Sequence, residues 1–145
     1  MPDADWLKEH KEFQGLTFED TRNLGAFCIE QTFPKDALIV EQGTVTPGGG
    51  FIRSGSARVT VRIKGADKAL NFLRVGEFYG EMSLMEPEIE RSASLVAAAP
   101  TTVLSLPYAQ YLKLKREHPT TVFRLLEIFL RITGRRLRDA TKRIH

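Results

Sequence analysis

The chain has 145 residues, 42% of them hydrophobic and 27% charged, with a formal net charge of +3. That is the length of one ordinary domain with a soluble composition, long enough to bury a core without staples. Cys28 is the sole cysteine, which excludes an internal disulfide and any multi-cysteine metal site, and the mild charge argues for no particular polyanion.

The first residues, Met1 to Lys11, are polar and carry acids. This excludes a signal peptide, no apolar run approaches ~18 residues, and a cytoplasmic protein is expected. From about Trp6 to Phe27 the pattern is helical. Thr17 followed by Asp20 predicts a helix start with a capping-box variant, and Leu24 and Phe27 then repeat on one face.

Near Cys28 the period changes from helical to alternating, and it stays so to about Leu106. Val59, Val61 and Ile63 interleave with Arg58, Thr60, Arg62 and Lys64, which predicts a half-buried strand. Lys64 to Lys68 reads as a turn, with a second strand from Ala69 to Val75. Short apolar runs at Ala37–Val40, Phe51–Ile52, Leu95–Ala99 and Val103–Leu106 are separated by glycines and prolines. Many short strands with frequent turns predict an antiparallel sandwich or roll.

Within this region one stretch carries chemistry. Gly80-Glu81-Met82-Ser83-Leu84 reads as a short helical turn after a glycine, whose free N–H groups suit an anion. Strand parity taken from Arg91 puts its side chain with Ala93, Leu95 and Ala97. A guanidinium on an apolar face needs an anionic partner, and small neighbours leave room for one. Glu81 repels phosphate but suits sugar hydroxyls. The chemistry implied is a sugar phosphate with one compact negative charge.

The last region, Tyr108 to His145, is helical, and Pro119 is placed to open the final helix. Phe123, Leu126, Leu130, Thr133, Leu137, Ala140 and Ile144 are spaced alternately three and four apart. That stripe predicts pairing with a second helix, in a homodimer. A second set, Val122, Leu125, Ile128, Phe129 and Ile132, occupies only the first half and is expected to cover the roll. Gly134 marks a bend or a close approach. Arg131, Arg135, Arg136, Arg138, Lys142 and Arg143 make a basic face, read as solvated because cations suit a helix C-terminus.

Gly80-Glu81-Met82-Ser83-Leu84 followed by Arg91-Ser92-Ala93 resembles the phosphate-binding cassette of cyclic-nucleotide-binding domains. Gly43, Phe51-Ile52, Gly55 and Gly76-Glu77-Phe78 fit the turn glycines and core strand of that family, so nearly the whole chain is covered. The resemblance implies an α+β, mainly β fold. It is an antiparallel jelly roll (β-roll) with helices to about residue 27, the roll over 28–106 and helices over 108–145, in one domain. It implies that Glu81 accepts the ribose 2′-hydroxyl and Arg91 pairs with the cyclic phosphate. Gly80, the N–H groups of Met82 and Ser83, the Ser92 hydroxyl and the Ala93 N–H complete the cradle. Val59 and Leu70 form apolar wall near the base, and Thr141 is a candidate cap on it. The ligand is expected to be cyclic AMP, with cyclic GMP the alternative, and no other cofactor is expected. Ligand binding is expected to order Gly80–Arg91 and shift the terminal helix.

Three departures stand out: Thr44 replaces an acidic residue, Tyr79 a phenylalanine or aliphatic, and Gly48-Gly49-Gly50 predicts a looser hairpin. The competing reading is a structural Glu81–Arg91 ion pair in a roll that binds no nucleotide and serves as a dimerisation or scaffold module. His10, His118 and His145 lie in separate segments, and no nucleophile elbow or P-loop is present, so no catalysis is expected. No helix-turn-helix follows the last helix, so no DNA-binding domain is expected here. A free-standing sensor and a piece lacking its effector both stay open, Met1 favouring an authentic start. The downstream partner is left unnamed.

Overall fold

The computed structural model describes residues 2–144, with side chains described through Lys142. Met1, the side chains of Arg143 and Ile144, and His145 lie outside the described set, so those members of the stripe, the basic face and the histidines are not placed.

Two short 3-10 turns, Asp5–Glu9 and Lys11–Phe13, lead into α1 (Phe18–Phe27). The expected cap is present: the Asp20 N–H donates to the Thr17 hydroxyl at 3.0 Å, and the Thr17 N–H donates back to the Asp20 carboxylate at 2.9 Å. The same carboxylate reaches further. It accepts the Thr121 hydroxyl at 2.6 Å and the Arg124 guanidinium at 2.9 Å, which ties α1 to the final helix.

Eight strands follow: β1 (Ile29–Phe33), β2 (Leu38–Val40), β3 (Gly48–Ser54), β4 (Ser56–Ile63), β5 (Ala66–Arg74), β6 (Phe78–Tyr79), β7 (Ser94–Ala97) and β8 (Thr101–Pro107). They form two antiparallel four-stranded sheets, ordered β1-β8-β3-β6 and β2-β7-β4-β5. Ile52, Ala57, Leu73, Leu95 and Val103 form a buried cluster of their own, and Phe13, Phe51, Phe78 and Leu104 belong to a second cluster shared with the helices.

Three strand expectations are corrected. The β4–β5 turn is tighter than Lys64–Lys68: Lys64 and Gly65 both have positive φ, 53° and 81°, the two-residue primed turn that matches strand twist. The strand from Arg91 begins only at Ser94, so parity does not carry back to Arg91. The glycine triplet is not a loose hairpin. Gly48, Gly49 and Gly50 are buried in β3 and pair with Pro107, Leu106 and Ser105. Side chains are barred there: a Cβ on Gly49 would stand 2.5 Å from the Tyr79 carbonyl, and one on Gly50 2.6 Å from the Tyr79 hydroxyl.

A short α2 (Glu81–Met85) links β6 to β7, and α3 (Tyr108–Glu117) and α4 (Pro119–Ile144) close the chain. α4 divides its apolar residues as its two spacings require. Val122, Leu125, Ile128 and Phe129 are buried against the roll. Phe123, Leu130 and Leu137 are 61%, 74% and 68% exposed, so these members of the stripe face away from the domain, while Leu126 packs partly against its core. Among the described residues no helix is long and apolar enough to cross a membrane.

Candidate functional site

The site is built around Arg91. Its backbone is bracketed by the loop after β2: the Gly43 N–H donates to the Arg91 carbonyl at 2.9 Å, and the Arg91 N–H to the Thr44 carbonyl at 2.8 Å. The side chain then returns along the same loop. Nε donates to the Thr46 hydroxyl at 3.4 Å, and Nη2 to the carbonyls of Thr46 and Gly48, the latter at 2.8 Å. Nη1 has no acceptor among the described residues. No carboxylate lies within ion-pair distance of the guanidinium in that set, so the structural Glu81–Arg91 pair of the competing reading is not formed.

Gly80 decides where Nη1 can go. It caps α2 in the left-handed region at φ 83°, and a Cβ on it would run into the Gly48 carbonyl and stand 2.9 Å from Nη1. Glycine meets both demands. The N–H groups of Glu81, Met82 and Ser83 fall in the first turn of α2, where no intrahelical acceptor exists. The Ser83 hydroxyl is already committed, accepting the Gly48 N–H at 3.1 Å, so it fastens β3 to α2.

These groups surround one cleft of about 250 Å³, small for a ligand site. It brings together Val59, Gly80, Glu81, Met82, Ser83, Arg91, Ser92 and Ala93 from the sequence reading. Two expected residues lie elsewhere. Leu70 falls at a bulge, where pairing steps from Val59–Asn71 to Thr60–Ala69, and it is 58% exposed outside the cleft. Leu73, in phase with the roll interior, forms that wall instead. Thr141 lies exposed on α4, donating to the Leu137 carbonyl of its own helix at 3.0 Å.

Sequence reasoning missed Val40, Leu73, Tyr79, Ile89 and Glu90 in the lining. Tyr79 was the legible one, as a bulky residue next to Gly80. Burial pushes its hydroxyl up to about 12, so it stands neutral beside the guanidinium. Burial lowers Arg91 from its ordinary value, with Tyr79 acting in the opposite sense. The cleft thus offers one half-buried cation, free N–H donors, and carboxylates of Glu81 and Glu90. It suits a compact anion bearing hydroxyls and an apolar portion.

The family model for the cyclic nucleotide-binding domain matches residues 30–118. The chain belongs to the cyclic nucleotide-binding domain family. The matched residues span the eight-stranded roll, α3 and the stretch from Gly80 to Ala93 that carries the resemblance. The Cyclic AMP receptor protein of Thermus thermophilus is 33% identical over 135 residues, covering 92% of this chain and 60% of that protein. Glutaminase 1 of Bradyrhizobium diazoefficiens is 28% identical over 138 residues, covering 95% of this chain and 22% of the glutaminase. The chain therefore spans less than two thirds of either relative. In fold it is similar to a cyclic nucleotide-binding domain from Methylobacillus flagellatus, with TM-score 0.85, 24% identity, and coverage of 99% of this chain and 85% of that one.

Proposed function

We propose that this chain binds a cyclic mononucleotide, cyclic AMP in preference to cyclic GMP, as a non-catalytic cytoplasmic sensor. The observation that carries the reading is the half-buried Arg91 guanidinium. It has no carboxylate partner among the described residues, and Nη1 is unclaimed where only glycine fits. A cyclic phosphate carries one negative charge and matches one cation. A triphosphate would bring several charges toward Glu81 and Glu90 with no second cation in the cleft lining. Glu81, without a protein partner among the described residues, is assigned the ribose 2′-hydroxyl. Met82, Ser83, Ser92 and Ala93 are assigned the phosphate, and Val59 and Leu73 the base.

The exposed stripe of α4 supports a homodimer through that helix, and a partner helix would bring a second Thr141 within the assembly. Ligand would then shift the population of α4 arrangements by no more than its difference in affinity for them. A thermal-shift screen of cyclic mononucleotides tests the reading. A rise of several degrees with cyclic AMP supports it, and no shift at millimolar nucleotide overturns it. The competing reading, a nucleotide-independent dimerisation module, draws on the three protein acceptors that Arg91 already has. It predicts an oligomer whose melting ignores every nucleotide.

A further inference from the structure

The corner where β5, β6, the N-terminal turns and α4 meet holds a second cavity, of about 360 Å³. None of the residues in its wall lines the Arg91 cleft. The turn after β5 makes its base. There the Gly76 N–H donates to the Ile52 carbonyl at 2.9 Å, and the Glu77 N–H to the Arg74 carbonyl at 2.9 Å. Gly76 holds a left-handed φ of 90°, and a Cβ on it would run into the His10 ring. Glycine therefore lets the imidazole lie on the backbone, and Trp6 meets the same ring edge to face, 5.9 Å between centroids. This wall is preformed by the packing of the protein itself.

Arg74, Arg135 and Arg136 share the cavity. Each guanidinium carries five N–H donors in a planar fork. Among the described residues a single hydrogen bond draws on any of them, from Arg136 Nη2 to Glu77 Oε2 at 3.4 Å. Arg135 Nη1 stands 3.7 Å from Glu12 Oε1, beyond hydrogen-bond reach. No carboxylate in that set lies within ion-pair distance of the Arg74 guanidinium. Glu77 has little left to give, since its Oε1 already accepts the Arg74 N–H at 3.0 Å. Three cations thus face two carboxylates, with nearly all their donors unclaimed by protein in that set. Exposed pairs of this kind are weak, so little opposes a better acceptor.

The donor set selects that acceptor. One carboxylate offers two oxygens and one charge, enough for one fork. A phosphoryl group with free terminal oxygens offers three acceptors and close to two charges, and arginine forks match it bidentately. A cyclic phosphate, singly charged, suits the lone cation of the Arg91 cleft better than this triple one. We propose that the corner of Arg74, Arg135, Arg136 and His10 is a second anion site, taking a phosphoryl dianion: inorganic phosphate or the free end of a phosphomonoester. The site stands apart from the cyclic-nucleotide reading, because the two linings share no residue.

The test titrates the full chain with inorganic phosphate by calorimetry, with sodium chloride adjusted to hold ionic strength constant and remove general screening. The parent should bind saturably at millimolar phosphate or below. The ring resonances of His10, assigned by their loss in His10→Gln, should move with the same midpoint. Arg91→Ala should leave that binding intact, which separates it from the cleft. Arg74→Gln/Arg135→Gln should weaken it about tenfold or more, since charge-assisted bonds are the strong ones. Arg136 is left in place because its guanidinium covers the Phe78 ring at 5.3 Å. The double variant should melt like the parent in phosphate-free buffer, because both replaced side chains are exposed. In the Arg91→Ala background, 5′-AMP names the source. Binding at least as tight as that of phosphate assigns the site to a phosphomonoester, and exclusion of 5′-AMP with phosphate still bound assigns it to the free ion. Either result supports the site. Binding that vanishes in Arg91→Ala and survives in the double variant puts the anion in the cleft and overturns the proposal. Absence of saturable phosphate binding overturns it too, and leaves the cyclic-nucleotide reading to its own screen.

Discussion

Gly80 stands where any side chain would displace Arg91: a Cβ at this position falls 2.9 Å from Nη1, at a backbone φ of 83°. Gly80→Ala therefore strains the backbone, presses on the Gly48 carbonyl and pushes aside the donor assigned to the phosphate. Cyclic AMP affinity should fall tenfold or more by calorimetry, because tenfold corresponds to ~1.4 kcal/mol and a displaced charge-assisted bond forfeits at least that. Unchanged affinity would mean that Nη1 does not meet the ligand.

Removing the cation itself should be more severe. Charge-assisted bonds contribute ~1.5–3 kcal/mol each, so Arg91→Ala should weaken cyclic AMP binding by about a hundredfold or more. Arg91→Lys should recover only part, because an ammonium cannot serve Thr46, Gly48 and a phosphate from one planar fork. Glu81→Ala should weaken binding less and erase the preference for cyclic AMP over its 2′-deoxy analogue. A preference for cyclic AMP over the 2′-deoxy analogue that survives in Glu81→Ala would place the ribose elsewhere.

The residues around Arg91 also mark where sequence ceases to be informative. Thr17 and Asp20 were legible because a capping box is a local contract between residues three apart. The cassette was legible for the same reason, being almost continuous from Gly80 to Ala93. Leu70 was misplaced because a bulge resets strand parity, and nothing in the residues Ala69 to Asn71 announces it. The glycine triplet looked like looseness because its cause, the Tyr79 ring and carbonyl pressed on β3, comes from a strand thirty residues on, on the order of a long-range pairing that no local window sees. The Thr46 and Gly48 carbonyls that hold Arg91 belong to the backbone, which has no residue signature at all.

The two apolar sets of α4 separate cleanly enough to test. Leu130 and Leu137 are exposed and lie away from the buried set, so charging them should leave the roll intact. Leu130→Glu/Leu137→Glu should convert a dimer to a monomer by light scattering, since like charges would face each other across a paired helix. Its far-UV spectrum should match the parent. A parent that is already monomeric, with and without cyclic AMP, would remove the homodimer from the proposal.

Asp20 should set the acid limit of the fold. It is 2% exposed, and burial alone would raise its pKa. The Thr121 hydroxyl, the Thr17 N–H and Arg124 outweigh that and hold it below the ordinary 3.8. A carboxylate depressed in the folded state stabilises the fold fully above its unfolded value, and that contribution fades as pH falls through the folded one. The parent should therefore lose stability below about pH 4, as the unfolded chain takes up the proton first. Asp20→Asn presents an amide N–H where the Thr17 N–H or Arg124 needs an acceptor, and should cost ~1–3 kcal/mol at pH 7. For a domain of this size that is a melting temperature lower by roughly 3–10 °C. The variant should also show a flatter loss below pH 4, because it has no carboxylate left to protonate there. Equal acid sensitivity in variant and parent would show that the link between α1 and α4 does not depend on this charge.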